Sequence, residues 1–359
     1  MWSVITERNP MSKKQIAVGG VKIGGGAPVT VQSMTNTKTT EIRETAAQIN
    51  RLAGLGCDIA RVAVPDAAAA DAIGDIKQLI NLPLVADIHF DHKLALRAAE
   101  AGADKLRINP GNIGAPEGVR AIAELCAKKN IPIRVGVNSG SLSKAILAKY
   151  GGPTPEALYE SAIENIRLLN SFDFDDICVS VKASSVPVTI AANRLLSERT
   201  GYPLHLGVTE AGTEYNGIIK SSVGIGTLLA EGIGDTIRVS LTAPPENEIA
   251  AGIEILKSLG LREGYQLISC PTCGRCMIDL IPIAREVEKR LAGLGRNISV
   301  AVMGCGVNGP QEAAGADYGI AGGNREGMIF KKGKTVKKVA MDSLVKELFD
   351  IIESEEDTI

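Results

Sequence analysis

The chain has 359 residues, 45% of them hydrophobic and 22% charged, enough for one large domain, a smaller one and a sizeable core. A formal net charge of -2 and an aromatic content of 3% exclude a global pull toward nucleic acid or anionic membrane, and a stacking surface for single-stranded bases. No long apolar run of membrane-spanning or signal-peptide type is present, and seven cysteines, an odd number, argue against a disulfide framework, so a reducing, cytoplasmic setting is expected.

In chain order, residues 15–23 pair as an N-terminal hairpin with Gly24-Gly-Gly26 as a turn, suited to plugging the bottom of a barrel. Eight short β-branched runs follow, at 29–35, 58–64, 83–90, 105–110, 131–138, 177–183, 203–210 and 236–241. Between them lie amphipathic helical patterns such as 41–55, 93–101, 117–129, 155–169 and 222–231. Alternation at this spacing calls for parallel βαβ units, and eight of them suit a closed (β/α)8 TIM barrel. An open doubly wound sheet would carry a Gly-rich phosphate turn after its first strand. Here that strand is followed by Asn36-Thr-Lys-Thr-Thr40, and no G-x-G-x-x-G opens a helix.

The strand ends are polar. Ser33, Met34 and Asn36 close the first; Arg61 lies in the second; Asp87 and His89 end the third. Arg107 and Asn109, Arg134 and Asn138, Lys182 and Ser184, His205 to Glu210, and Arg238 with Ser240 continue the series. Charges inside apolar parallel strands are costly unless they pair or face a solvated cavity, and the carboxyl ends of barrel strands form the active-site floor. Four Arg and one Lys converging there make a cationic bowl suited to phosphoryl groups. If Asp87 and Glu210 neutralise two of the five cations, a surplus remains for an outside anion. His92 and His205 read as structural, His89 is open between core and site, and Cys57, Cys126 and Cys178 read as core residues.

The last barrel helix spans 247–259, and a six-residue loop, 260–265, leads into Ser269-Cys-Pro-Thr-Cys-Gly-Arg-Cys276. The remainder reads as a small α/β domain: strands 266–269 and 298–302, a helix over 277–291, strands near 318–321, 327–332 and 335–339, and a helix over 342–352. Tight Cys-x-x-Cys spacing beside Pro and Gly is a metal pattern rather than a packing one. Zinc would take Cys270, Cys273, Cys276 and Cys305 as a closed four-thiolate site; an iron-sulfur cluster would also take thiolates. The loop Gly304-Cys-Gly-Val-Asn-Gly-Pro-Gln-Glu312 favours the cluster, because Glu312 offers an exchangeable oxygen ligand.

These residues carry a family resemblance. The motifs VQSMTNT (31–37), PLVADIHF (83–90), LRINPGNIG (106–114), VSVKAS (179–184), LGVTEAG (206–212), EGIGDT (231–236), CPTC (270–273) and the 304–312 loop are similar to those of the bacterial two-domain 4-hydroxy-3-methylbut-2-en-1-yl diphosphate synthases. The match spans essentially the whole chain. It implies a TIM barrel over 1–259 followed by a ferredoxin/sulfite-reductase-like iron-sulfur domain over 260–359. It also implies a [4Fe-4S] cluster on Cys270, Cys273, Cys305 and Glu312, and a cyclic diphosphate substrate held by Arg61, His89, Arg107, Arg134, Asn138, Lys182 and Ser269. Glu210 is the implied acid/base, and flavodoxin or ferredoxin the electron donor. Two departures stand out: Gln311 replaces the Gly usual before the Glu, and Cys276 is an extra thiol. The short loop 260–265, leaving the barrel at its bottom, points to a head-to-tail homodimer in which each cluster domain caps the partner's barrel, as the family also implies. The competing reading is a zinc- or cluster-stabilised barrel that carries electrons or binds a partner without this chemistry.

Overall fold

The computed structural model describes residues 12–306, 311, 313–323 and 325–355. These divide into two compact units, parting between Arg262 and Glu263. Among the described residues no helix is long and apolar enough to cross a membrane.

The first unit opens with an antiparallel hairpin, β1 (Gln15–Val18) and β2 (Val21–Gly24). Its turn is Gly19-Gly20, not Gly24-Gly-Gly26 as the sequence suggested. A two-residue turn closes the strands, and the later glycines, all at positive φ, bend the chain toward the barrel. Ile16, Val18 and Ile23 pack on Ile59, Val85 and Cys178, so the hairpin does plug the barrel.

Eight parallel strands follow: β3 (Thr30–Met34), β4 (Ile59–Ala63), β5 (Leu84–Asp87), β6 (Lys105–Ile108), β7 (Ile133–Asn138), β8 (Ile177–Lys182), β9 (His205–Leu206) and β10 (Thr236–Ile237). They pair in the order β8-β7-β6-β5-β4-β3-β10-β9, and a Val179–Leu204 bridge, with the Val179 N–H donating to the Pro203 carbonyl at 2.8 Å, closes the ring. Both faces of such a sheet are covered, so its strands read as nearly continuous apolar runs. β9 and β10 are shorter than their runs because the chain turns away soon after Leu206, reaching a turn at Thr209–Glu210.

Among the described residues nine helices surround the ring: α1 (Ile42–Gly54), α2 (Ala67–Leu79), α3 (His92–Glu100), α4 (Pro116–Lys129), α5 (Lys144–Tyr150), α6 (Pro155–Asn170), α7 (Val186–Arg199), α8 (Glu214–Ala230) and α9 (Pro245–Ser258). Side-chain oxygens cap several: Asp66 accepts from Ala69 N–H, Thr154 from Ala157 N–H, Ser185 from Val188 N–H.

Strand register sorts the inward residues into layers drawn from alternate strands. Ile59, Lys105, Cys178 and Thr236 lie lowest, and Gln32, Val85, Arg134 and His205 come next. Arg61, Arg107, Ser180 and Arg238 follow, then Met34, Asp87, Gly136 and Gly207, with Asn138 and Lys182 above them at the ends of β7 and β8. Branched apolar residues ordinarily fill these layers; here Arg134, Arg61, Arg107 and Arg238 stand in the middle two, and that polarity makes the site.

The second unit is a five-stranded sheet, β11 (Gln266–Ser269), β12 (Ser299–Met303), β13 (Tyr318–Ala321), β14 (Glu326–Lys331) and β15 (Lys334–Ala340), paired in sequence order. The first three strands run parallel and the last two pairings are antiparallel. Helices α10 (Leu280–Leu294) and α11 (Leu344–Ser354) cover it. On α11, Leu344, Val345, Leu348, Phe349 and Ile352 are buried, the i, i+4 stripe of an amphipathic helix. α10 starts three residues later than its pattern, because the Met277 N–H is taken by the Gly304 carbonyl at 2.8 Å and draws the chain to the cysteine loop.

Candidate active site

Arg61, Arg107, Arg134, Asn138 and Lys182 converge at the carboxyl ends of four strands, joined by Ser180, Thr209, Arg238 and Ser240, around a cavity of about 70 Å³. Five cations thus share one bowl. Two carboxylates answer them. Asp87, 2% exposed, faces Arg61 Nη2 and His89 Nε2 through Oδ2 at 3.3 and 3.2 Å, and Arg107 Nη1 through Oδ1 at 3.3 Å. The Arg107 contact is an ion pair without hydrogen-bond alignment. Burial opposes the ionised carboxyl, but Arg61, the His89 hydrogen bond and Arg107 outweigh it and hold Asp87 well below the usual carboxylate range.

The second acid is Glu248, on the first turn of α9, rather than Glu210. Its Oε2 faces Arg238 Nε at 3.3 Å and accepts from Ser33 Oγ at 3.0 Å, while Oε1 accepts from the Leu241 N–H at 3.1 Å. In the sequence it passes for an acid suited to a helix N-terminus, and only the fold brings it behind Arg238. The surplus of three cations therefore stands, with one partner exchanged.

Burial and mutual repulsion weaken the protonation of these cations. Arg134, 1% exposed, donates to Gln32 Oε1 at 2.9 Å, and burial followed by Arg107 lowers its pKa to about 10. Lys182 is driven well below its ordinary value by burial, then by Arg134, Arg238, Arg61 and Arg107. Beneath the bowl, Lys105 is fully buried with no partner for its Nζ, and burial brings it down to about 7. His205, also fully buried, is held neutral by the same effect and belongs to the barrel core, as expected.

Sequence reasoning left His89 undecided; its side chain is 57% exposed beside Phe90, itself 75% exposed, so it stands at the rim of the bowl. Glu210 is exposed at the rim in the left-handed region, φ 52°, a conformation that costs a non-glycine residue energy and is retained most often at functional sites. It makes no ion pair with the bowl cations.

In the second unit, Cys270 and Cys305 follow the carboxyl ends of β11 and β12, which are paired in parallel with Ser269 opposite Val302. Ser269 is exposed next to Cys270 and belongs to this unit, not to the bowl. The Gly304 N–H donates to Cys270 Sγ at 3.1 Å. Cys273 is exposed, and hydrogen bonds from Arg275, backbone then side chain, pull its thiol below the ordinary value. Cys276 donates its thiol hydrogen to the Ile278 carbonyl at 3.2 Å, with its Sγ close against Gly304. Glu312, expected as the fourth ligand, lies outside the described residues. Among the described residues no three Cys, His, Asp or Glu side chains form a cage for a single metal ion. The chemistry of the donor set, three thiols with a backbone N–H donating to Cys270 Sγ, suits an iron-sulfur group.

Comparison with known proteins covers both units. The GcpE TIM-barrel domain model matches residues 13–253, and the GcpE protein C-terminal domain model matches 266–354. The chain is 58% identical over 347 residues to the 4-hydroxy-3-methylbut-2-en-1-yl diphosphate synthase (flavodoxin) of Clostridium perfringens, covering 96% of this chain and 99% of that one. It is 60% identical over 335 residues to the protein of the same name from Caldicellulosiruptor saccharolyticus, covering 93% and 96%. Among solved structures, dihydropteroate synthase from Stenotrophomonas maltophilia superposes with a TM-score of 0.51 at 12% identity, over 68% of this chain and 97% of that one, a likeness of fold alone.

Proposed function

From the premise that the chain belongs to the GcpE family of 4-hydroxy-3-methylbut-2-en-1-yl diphosphate synthases, we propose how its own residues carry out that family's reaction. The protein is an iron-sulfur oxidoreductase that opens and dehydrates 2-C-methyl-D-erythritol 2,4-cyclodiphosphate to (E)-4-hydroxy-3-methylbut-2-enyl diphosphate, a step of isoprenoid precursor synthesis. Two electrons and two protons enter and one water leaves.

The observation that carries the site assignment is the surplus of cations over carboxylates in the bowl. Arg61, Arg107, Arg134 and Lys182, with Asn138 and His89, grip the diphosphate and stabilise charge on its oxygens as the carbon–oxygen bond breaks. Ser269, beside the cysteine loop, donates to the same group. Glu210 holds and moves the proton needed for loss of water, from a position whose backbone strain keeps it at the rim. A [4Fe-4S] cluster held by Cys270, Cys273, Cys305 and Glu312, when bound, supplies electrons one at a time from reduced flavodoxin or ferredoxin.

The short connection supports a head-to-tail homodimer. Arg262 is anchored to Asp58 at 3.0 Å and to the Gly56 carbonyl at 2.9 Å, at the amino end of β4 and therefore at the bottom of the barrel. Only Glu263 to Tyr265 remain before β11, about 10 Å of extended chain against a barrel about 20 Å tall. A partner's cluster domain then completes each bowl. Mixing Cys305→Ser with Glu210→Gln protein restores partial activity on this arrangement; mixed dimers without recovery defeat it. Metal and sulfide analysis after anaerobic purification tests the cluster: about four irons and four sulfides per chain are expected, whereas one zinc overturns the assignment.

A further inference from the structure

Two of the four inward positions in the barrel layer shared with Met34 and Asp87 are glycine, Gly136 on β7 and Gly207 just beyond β9. Neither has a positive φ, so the backbone does not require glycine at either position. Space does. A Cβ at 136 would stand 2.5 Å from Arg107 Nε, 2.9 Å from its Nη2 and 3.0 Å from its Cζ. One at 207 would stand 2.5 Å from Lys182 Nζ, and also 2.6 Å from the Arg238 carbonyl oxygen. Arg107, from lower in the barrel, and Lys182, from the end of the neighbouring strand, thus lie across bare strand backbone where other residues would raise a side chain.

Resting on the reading of the bowl as a diphosphate site, we propose that Gly136 is a positioning residue for that site. Its missing side chain forms the slot that seats the Arg107 guanidinium on the floor, within 3.3 Å of Asp87. The two glycines differ in an instructive way. At 207 the obstacle includes main chain, so a larger residue disturbs the strand itself. At 136 all three close atoms belong to the far end of one flexible side chain, which yields by swinging away. Replacing Gly136 therefore moves a guanidinium and leaves the sheet in place. In a strand interior alanine is the better residue by up to about 1 kcal/mol, so packing alone gives no reason for glycine here.

The test uses the full-length protein with inorganic pyrophosphate as probe, in calorimetric titrations at fixed salt. Gly136→Ala is expected to weaken binding about tenfold, the scale of one charge-assisted contact, in a barrel that still folds and unfolds cooperatively. In turnover assays KM for the cyclic diphosphate rises while kcat changes less. The discriminating measurement is a double-mutant cycle: in an Arg107→Lys background, where no planar fork fills the slot, Gly136→Ala costs less than about threefold further. An unchanged affinity in Gly136→Ala, or an equal loss in both backgrounds, overturns the inference. So does failure of both Gly136→Ala proteins to fold, which makes the glycine structural. If the unmodified protein itself binds no pyrophosphate, the bowl reading falls, and this inference with it.

Discussion

Replacing Asp87 with Asn keeps the shape of the bowl and removes the carboxylate that Arg61 and Arg107 share. Asp87 is 2% exposed, and Arg61 and Arg107 are themselves largely buried, 14% and 11% exposed. Removing one partner of such an arrangement leaves uncompensated buried charge and costs about 3–5 kcal/mol. For a domain of this size that is a fall of roughly 10 °C in the barrel's unfolding temperature. An anion that binds the bowl replaces the lost charge, so pyrophosphate should stabilise Asp87→Asn more than the unmodified protein. At a hundred times its Kd it stabilises the latter by about 2.7 kcal/mol. Thermal unfolding of both proteins across a pyrophosphate series reads this directly. The sign with pH follows from the depressed folded-state pKa: the Asp87 contribution is complete above the ordinary carboxylate value and is lost only as pH falls through the lower folded value. The gap between the two proteins should therefore hold from pH 8 to about pH 5 and close only in stronger acid. A pyrophosphate gain in Asp87→Asn no greater than in the unmodified protein would refute the idea that carboxylate and substrate compete for the same cations.

Three further outcomes are expected. Lys105→Met should be more stable than the unmodified protein at pH 7 by about 1–4 kcal/mol, since it replaces an unpartnered buried amine with an apolar chain. With Lys105 lowered from 10.5 to about 7, the unfolded state carries a proton the folded state lacks between those values. The unmodified protein thus gains stability as pH rises through that window, and urea unfolding at pH 7 and 9 should show the advantage of Lys105→Met shrinking; an advantage independent of pH defeats the account. Glu210→Gln should bind pyrophosphate within about twofold of the unmodified protein yet lose turnover, because it makes no ion pair with the bowl cations; retained turnover removes it from the mechanism. Cys276→Ser should keep full iron content and visible absorption, its thiol being committed to the Ile278 carbonyl, whereas Cys305→Ser should lose both; an iron deficit in Cys276→Ser would make that thiol a ligand.

Much of this was legible in the residues. Alternating β-branched runs and helical stripes announced parallel βαβ units, and Arg61, Asp87, Arg107, Arg134, Asn138 and Lys182 announced polar strand ends, because both are local periodicities of the chain. The Cys-x-x-Cys spacing likewise marked the metal loop without any tertiary information. Other features depended on which residues meet. Glu248 reads as an acid suited to a helix N-terminus until the barrel brings α9 behind Arg238. Glu210 looks like a partner for the bowl until its backbone turns left-handed in the turn four residues beyond β9. That the Lys105 amine is fully buried is decided only when eight strands enclose it. The seats at Gly136 and Gly207 are invisible in sequence, where glycine in a strand signals only a bulge or a close approach. The physical reason is the stagger of a closed barrel. Period-two alternation tells which side chains face inward, but the shear accumulated around eight tilted strands decides which of them share a layer and which cation finds a gap to fill.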